Sequence, residues 1–170
     1  WGWADAGQTV TVTFKGQTAA GKADASGKWT ATLKPLGADA TPAVMTVQAG
    51  DETLTVSDLL VGEVWLCSGQ SNMEWTLRRA DNADAAIAAS DDPLLRQIKA
   101  PHRPSTTPED RVDASWQTAT PASVPNWTAV GYFFGRDLRK QLDVPVGLIN
   151  CSWGGTRIEP WTSRDGFKAT

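Results

Sequence analysis

The stretch VWLCSGQSNMEW, residues 64–75, begins as an apolar run and ends abruptly in small and polar residues, with Ser71 just past the turn. A short continuous apolar run is typical of a parallel strand that is buried on both faces. The residues that follow, 71–90, have helix-forming composition. Ser71 is therefore predicted to lie where a strand ends and a helix begins, near unpaired N–H groups and the positive end of the helix dipole.

Further apolar segments extend this pattern toward the C-terminus. Residues 93–100, PLLRQIKA, are a candidate second strand, and residues 144–151, VPVGLINC, are another buried strand. Between them lie a Pro-rich loop over residues 100–125 and an amphipathic segment, for which Asn126 is a good N-cap and which ends in a basic turn near Leu142. The succession of strand, helix, strand, helix and strand predicts an α/β layer with a parallel sheet and right-handed crossovers.

The chain changes character near residue 60. Before that point, segments that alternate apolar with polar residues are separated by turn residues, which predicts a small antiparallel β-sandwich. The predicted strands cover residues 9–14, 28–33, 43–49 and 52–61. Because Trp1 and Trp3 already resemble strand residues, the first strand or two are expected to be missing. We predict a partial β-sandwich over residues 1–60 and a second domain over residues 61–170.

Composition argues against several classes of function. Lys and Arg number 16 against 19 Asp and Glu, for a net charge of −3, and no basic stretch points to nucleic acid. No segment approaches the roughly 18 consecutive apolar residues of a membrane-spanning helix. The two cysteines lack zinc-like spacing, and neither a metal nor an organic cofactor is expected. Nine tryptophans could stack on sugar rings, although core packing is the commoner use.

Two loops stand where a ligand site is expected. In open α/β sheets, ligands bind outside the carboxyl ends of the strands. The segment SGQSN, residues 68–72, follows one predicted strand, and SWGGT, residues 152–156, follows another. Adjacent parallel strands deliver their exit loops to one edge, so we expect these two loops to lie within about 10 Å of each other.

The residues of these loops have two interpretations. A nucleophilic oxygen at Ser71 would benefit from the start of a helix, but a serine there is equally typical of a simple helix cap. Gly154 and Gly155 could approach a ligand closely or form a turn and nothing more. The SWGGT loop lacks the Gly-Lys-Ser/Thr ending of a phosphate loop.

Together these segments resemble the sialate O-acetylesterase family of bacterial carbohydrate esterases, within the SGNH (GDSL-like) hydrolases. The resemblance is strongest over residues 60–75, 129–142 and 144–163, and residues 1–17 and 26–33 resemble the family's β-sandwich segment. The fold that the resemblance implies is a β-sandwich segment followed by an incomplete three-layer α/β domain of the SGNH-hydrolase (flavodoxin-like) type with a parallel sheet. The family also implies a periplasmic or secreted location.

The resemblance implies a serine esterase that removes O-acetyl groups from sialic acid or a related acetylated sugar. Ser71 would match the nucleophile, and its backbone N–H and that of Gly155 or Gly154 would match two donors of the oxyanion hole. Residues around the two loops are the candidates for contacts with the substrate: Gln70, Asn72, Trp75, Arg157, Glu159 and Trp161. For the last three, a loop salt link and a packed indole are equally reasonable. If Trp75, Trp153 and Trp161 crowd the nucleophile, the acyl pocket should be short.

One part of the family's machinery does not match. The family's base is a histidine with an acidic partner in the C-terminal part of the domain, but the single histidine here, His102, precedes the SWGGT loop. The residue three positions before it is Lys99 and not the Asp of the superfamily, so His102 is expected to line the mouth of the site.

We therefore predict that the chain alone is not a working enzyme and that its partial sheet leaves an apolar strand edge open. A C-terminal remainder of the domain, either continuous with the chain or present as a second chain, would supply the base. The alternative hypothesis is a carbohydrate-binding or structural module without chemistry.

Overall fold

The computed structural model describes residues 1–168 of the chain. These residues form two compact units, one over Trp1–Gly62 and one that begins at Glu63. Separate clusters of buried apolar side chains occupy the two units, so each has its own core.

The first unit consists of β-strands in two antiparallel sheets. Its strands are β1 (Gly2–Trp3), β2 (Thr9–Phe14), β3 (Gln17–Lys22), β4 (Lys28–Trp29), β5 (Asp39–Ala49) and β6 (Glu52–Val61). β1 pairs with β4, and the larger sheet has the order β3-β2-β5-β6. Val10 and Val12 of β2 are buried together with Ala23 and with Trp29 of β4, so one core joins strands of both sheets.

The alternating pattern locates most of these strands but misses β3. The predicted strands at 9–14 and 52–61 have the bounds of β2 and β6, whereas the predicted strand at 28–33 ends at Trp29. β3 forms because Lys15 and Gly16, at φ 46° and 73°, make a two-residue turn of the type that joins tight hairpins. The turn, and not the side-chain pattern of QTAAGK, places this strand beside β2.

The second unit is a four-stranded sheet with helices. Its elements are β7 (Glu63–Gly69), α1 (Ser71–Glu74), α2 (Ala83–Ala88), β8 (Asp92–Lys99), β9 (Gln117–Ala119), α3 (Ala129–Leu142), β10 (Val146–Ser152) and α4 (Arg164–Lys168). Single 3-10 turns lie at Leu77–Arg79, Val124–Asn126 and Glu159–Trp161. The sheet order is β7-β10-β8-β9. β10 is parallel to β7 and to β8, and β9 is antiparallel to β8.

This topology corrects three sequence-based expectations. The sheet is mixed and not purely parallel, because β9 forms within the segment predicted as a Pro-rich loop. The order is not flavodoxin-like, since there the first strand lies between the second and third, whereas here β10 pairs with β7 on one edge and β8 on the other. Over the described residues, α3 packs on one face of β10. On the opposite face, Trp116 lies against Gly147, so a third, helical layer is not what these residues form.

β7 is also less buried than its apolar sequence predicts. Val64, Trp65 and Leu66 are exposed, with Leu66 at 66%, whereas the residues of β10 alternate between buried and half-buried. Trp65 packs on Phe134 of α3 and Cys67 lies beneath the same helix, so Val64 and Leu66, which alternate with them, lie on the face of β7 opposite α3. Among residues 63–168, β7 is also the end strand of the sheet. The expectation that an incomplete sheet leaves an apolar edge open stays a prediction.

Helix α3 packs closely on the sheet because two of its residues are glycines. A Cβ at Gly135 would lie 2.9 Å from Leu95 Cδ1 and 3.2 Å from Leu148 Cδ1, and one at Gly131 would lie 3.0 Å from Cys67 Sγ. Burial of an aliphatic side chain such as Leu148 contributes about 1.5–3 kcal/mol. The buried core of this unit comprises Cys67, Leu77, Leu95, Ala119, Val124, Trp127, Ala129, Tyr132, Val146 and Leu148.

The start of α3 differs from the expectation for Asn126. Thr128 is the N-cap, and its hydroxyl oxygen accepts the backbone N–H of Gly131 over 3.3 Å. Asn126 lies in the preceding 3-10 turn. The predicted end is confirmed, since the helix stops at Leu142 after a last turn that carries Arg139 and Lys140.

Residues 71–90, predicted to be helical from composition, instead form α1, α2 and a 3-10 turn between them. The break is at Thr76, which is extended at φ −81° and ψ 150° and forms an isolated antiparallel bridge with Thr128. The backbone N–H of Ala129 also donates to the Trp75 carbonyl oxygen over 2.8 Å. These hydrogen bonds to a distant segment outweigh local helix propensity, so α1 is a single turn.

Candidate active site

Three parallel strands of the second unit end at one edge of the sheet. β7 ends at Gly69, β8 at Lys99 and β10 at Ser152. In the register of the sheet, Ser152 pairs with Gly69 and Asn150 pairs with Lys99. The loops that follow the three strands therefore emerge side by side, as expected for the ligand-binding edge of such a sheet.

The first of these loops presents Ser71 through a sharp turn. Gly69 has φ +147°, a conformation that residues with a Cβ rarely adopt, and Gln70 follows at φ −114° and ψ −133°. Ser71 is exposed and begins α1. Because α1 has only four residues, it provides less dipole than the long helix predicted from the sequence. The Gln70 side chain makes no capping hydrogen bond to this turn.

The second loop lies directly against Ser71. A Cβ at Gly154 would lie 3.4 Å from Ser71 Oγ and 3.5 Å from Ser71 Cα. The backbone N–H of Trp153 donates to the Gly69 carbonyl oxygen over 3.0 Å and so joins the two loops. Gly155 has φ +77°, and a Cβ there would meet no atom within 4 Å. The structure thus brings Ser71 and the glycine pair together across 83 positions of sequence.

Glu74 links the two loops and was not identified from the sequence. Its Oε2 accepts the backbone N–H of Gly154 over 2.6 Å. That N–H therefore already has a strong acceptor, which counts against Gly154 as the oxyanion donor and leaves Gly155 as the candidate. The signal that could have found Glu74 is its place three residues after Ser71, where helical spacing returns a side chain toward the start of the turn.

The third loop brings His102 to the same point. Its Nε2 lies 2.8 Å from Glu74 Oε1 and 2.9 Å from the Ser152 carbonyl oxygen. Its ring stacks on Trp153 with centroids 4.5 Å apart and planes at 5°. The Lys99 ammonium is 3.8 Å from the same Glu74 oxygen. His102 thus belongs to the junction of the loops, closer to the site than a residue that only lines its mouth.

Comparison with known proteins shows the family of the chain. Residues 61–169 match the family described as carbohydrate esterase, sialic acid-specific acetylesterase. The chain belongs to this esterase family. It is 39% identical to the sialate O-acetylesterase of Rattus norvegicus and 37% identical to that of Homo sapiens, in each case over 99% of the chain. The family resemblance inferred from the motifs is confirmed.

A solved structure similar to the chain is that of a carbohydrate acetylesterase from Xanthomonas citri. It matches 97% of the chain with a TM-score of 0.91 and 42% sequence identity. The chain spans about a third of the curated relatives, 34% of the rat protein and 36% of the human one, and 38% of the Xanthomonas chain.

The remaining candidate residues lie around the two loops without converging on Ser71 in the contacts observed. Five of them are exposed: Gln70, Asn72, Trp75, Arg157 and Glu159. The Trp75 indole N–H donates to the Arg79 carbonyl oxygen over 3.0 Å. The Trp161 indole N–H donates to Thr156 Oγ1, which itself donates to the Trp153 carbonyl oxygen. Trp161 therefore supports the glycine loop from its far side.

The two free cysteines of the chain differ in environment. Cys67 is buried beneath α3, and burial raises the pKa of its thiol. Cys151 is half-buried on β10. Among residues 1–168, no group of three or more His, Cys, Asp or Glu side chains is arranged to hold a metal ion.

Proposed function

We propose that the chain supplies the nucleophile and part of the oxyanion hole of a serine esterase that removes O-acetyl groups from sialic acid or a related acetylated sugar. The observation that carries the proposal is the contact between Ser71 and the Gly154–Gly155 loop at the ligand-binding edge of the sheet. The family's description as sialic acid-specific acetylesterases and the names of the relatives support the same chemistry.

In the proposed reaction, Ser71 Oγ attacks the carbonyl carbon of an acetyl ester while a base accepts the hydroxyl proton. The backbone N–H groups of Ser71 and Gly155 would stabilise the oxyanion of the tetrahedral intermediate. When this intermediate collapses, the bond to the sugar oxygen breaks, the sugar leaves with the proton from the base, and Ser71 remains acetylated. Water, deprotonated by the same base, then releases acetate and restores the hydroxyl.

We assign the base to a histidine with an acidic partner outside residues 1–170. His102 is the one histidine of the chain, and its Nε2 faces two hydrogen-bond acceptors. A C-terminal remainder, in the same or a second chain, is proposed to carry the base. No helix described within residues 1–168 is long and apolar enough to cross a membrane, and the periplasmic or secreted location remains a prediction from the family.

The substrate contacts are assigned to exposed polar residues that flank the two loops. Arg157 and Glu159 are both exposed just beyond the glycine pair. Their charge and hydrogen-bonding groups suit a carboxylated sugar and its hydroxyls. Gln70 and Asn72 flank Ser71 and are exposed in the same way.

The decisive experiment compares acetate release from O-acetylated sialic acid by the complete protein and by its Ser71→Ala variant. We expect a loss of activity of about 10⁴-fold or more, because the covalent step is removed. Ser68→Ala is the matched control, since Ser68 is an exposed serine of the adjoining strand, and it should keep wild-type activity. Equal rates for wild type and Ser71→Ala would refute the proposal. Glycan binding without hydrolysis in either protein would favour the carbohydrate-binding module.

A further inference from the structure

The environment of His102 determines where the hydrogen on its ring lies. Both atoms that approach Nε2 are acceptors: the carboxylate oxygen Glu74 Oε1 at 2.8 Å and the Ser152 carbonyl oxygen at 2.9 Å. A carbonyl oxygen has no hydrogen to donate, so Nε2 must carry the hydrogen and act as the donor. His102 therefore presents an N–H, not a lone pair, to the junction of the loops.

Stacking restricts the ring further. The imidazole lies parallel to the Trp153 indole, and Trp153 immediately precedes the glycine pair. A base for Ser71 would have to accept the hydroxyl proton on a nitrogen lone pair. The observed ring orientation instead directs the Nε2–H to the carboxylate of Glu74 and the backbone at Ser152.

Each oxygen of Glu74 has a hydrogen-bonding partner, and the Lys99 ammonium lies farther away, 3.8 Å from Oε1. Oε2 accepts the backbone N–H of Gly154, and Oε1 accepts from His102. Its side chain is 26% exposed, so the two charge-assisted bonds are partly shielded from water. An unpaired carboxylate beside an oxyanion would oppose catalysis by repulsion, and the His102 donor reduces that cost.

We propose that Glu74 and His102 are positioning residues that clamp the glycine loop so that Gly155 presents its N–H toward Ser71. His102 orients the carboxylate, the carboxylate holds Gly154, and Gly155 is thereby fixed next in sequence. The proposal deepens the esterase function proposed above and rests on it for its catalytic consequence. The clamp itself consists of contacts that are independent of turnover.

The kinetic test uses the complete protein and a short series of variants assayed with an acetyl ester. Glu74→Ala should lower kcat about 100-fold with a change in KM of less than about 3-fold, because misplacing a donor by about 1 Å has effects of this size. Glu74→Gln should recover part of the loss, since its amide oxygen can still accept the Gly154 N–H. Lys99→Met is the matched control, because Lys99 approaches the same carboxylate without touching the loop, and it should stay within about 3-fold of wild type.

The conservative variant of His102 separates positioning from base catalysis. In His102→Gln, the amide nitrogen can replace Nε2 as a donor to Glu74 but cannot act as a base. In His102→Phe, stacking on Trp153 is kept and the donor is lost. We expect kcat of His102→Gln within about 5-fold of wild type and that of His102→Phe lower by about 10–100-fold. Equal, severe losses of kcat in both variants would identify His102 as the base and contradict its proposed positioning role.

Limited proteolysis provides a readout that does not depend on activity. Arg157 is exposed beside the glycine pair and is a trypsin site. Cleavage after Arg157 should be faster in Glu74→Ala and His102→Phe than in wild type, and unchanged in Ser71→Ala. If the wild type proves inactive, the esterase proposal fails, but the cleavage rates still show whether Glu74 and His102 hold the glycine loop in place. Unchanged cleavage in both variants would overturn the proposed clamp.

Discussion

The loop after β7 and the loop after β10 meet at Ser71 but are held there by different means. In the first, the backbone sets the direction, because Gly69 at φ +147° turns the chain directly into α1. The second loop is joined to the first by a backbone hydrogen bond from Trp153 N–H to the Gly69 carbonyl oxygen, and we propose that its glycine pair also depends on a side chain, because Glu74 Oε2 accepts the Gly154 N–H. The two partners of that bond are 80 positions apart in sequence.

This difference indicates which substitutions should disturb the position of each loop. A loop set by its own backbone should be damaged by any Cβ at the turn, whereas a loop held by a remote side chain should tolerate changes within itself and fail when the tether is removed. The largest expected effect, however, concerns the general base, which neither loop provides.

The isolated chain of residues 1–170 carries both loops, and its activity shows whether the two loops suffice. We expect its kcat to lie at least about 1,000-fold below that of the complete protein, because loss of a general base costs several orders of magnitude. The assay is acetate release by the purified fragment, with cooperative thermal unfolding as the control for folding. Full activity from the folded fragment would contradict this and make His102 the base.

Substitution of one glycine in each loop tests directly whether the two loops are held in place by different means. Gly69→Ala should lower kcat about 100-fold, since the backbone there strains any residue with a Cβ by about 1–3 kcal/mol and Ser71 would shift. Gly155→Ala is strained as well, because Gly155 has φ +77°, at a cost of about 1–2 kcal/mol; we expect a loss about 10-fold smaller than for Gly69→Ala, because the added Cβ meets no atom within 4 Å and the N–H is kept. Equal losses at both positions would remove the distinction between the two loops.

Much of the frame around these loops is readable from sequence because local patterns determine it. Alternation in TVTVTF gives β2, and the apolar stripe of residues 129–142 gives α3. The glycine and serine motifs likewise locate both loops. They indicate Gly69 and Gly155 correctly as positions where the chain turns.

The rest depends on contacts between distant segments. Thr76 interrupts the predicted helix because it bridges to Thr128, and the position of β10 between β7 and β8 follows from pairing on both of its edges. The contact of Glu74 with His102 has no sequence signal either, since it joins α1 to the loop that follows β8. Contacts of this kind appear only once the chain is folded.

The length of the acyl chain of the substrate tests whether the tryptophans near both loops limit the size of the acyl pocket. If Trp75, Trp153 and Trp161 enclose the nucleophile, the acyl pocket is short. The complete protein should then hydrolyse p-nitrophenyl acetate at least about 10-fold faster than the octanoate, since unfavourable packing costs about 1–3 kcal/mol. Faster turnover of the octanoate would show that these side chains leave the site open.

The smallest effect is expected at the support of the first loop. Thr128 caps α3 and bridges to Thr76, so Thr128→Ala should lower the free energy of unfolding by about 1 kcal/mol. Thr128→Ser keeps the capping hydroxyl and serves as the matched control. Chemical denaturation of both variants measures the difference, and indistinguishable values would show that the hydroxyl does not stabilise this segment.

Covalent labelling of the complete protein with a fluorophosphonate, followed by peptide mass spectrometry, tests most directly whether Ser71 is the nucleophile. The label requires an activated serine beside an oxyanion hole, which is what the meeting of the two loops is proposed to create. We predict a single adduct on Ser71 that is absent from Ser71→Ala and retained in Ser68→Ala. An adduct on another serine, or none on Ser71 in protein that releases acetate, would contradict the account.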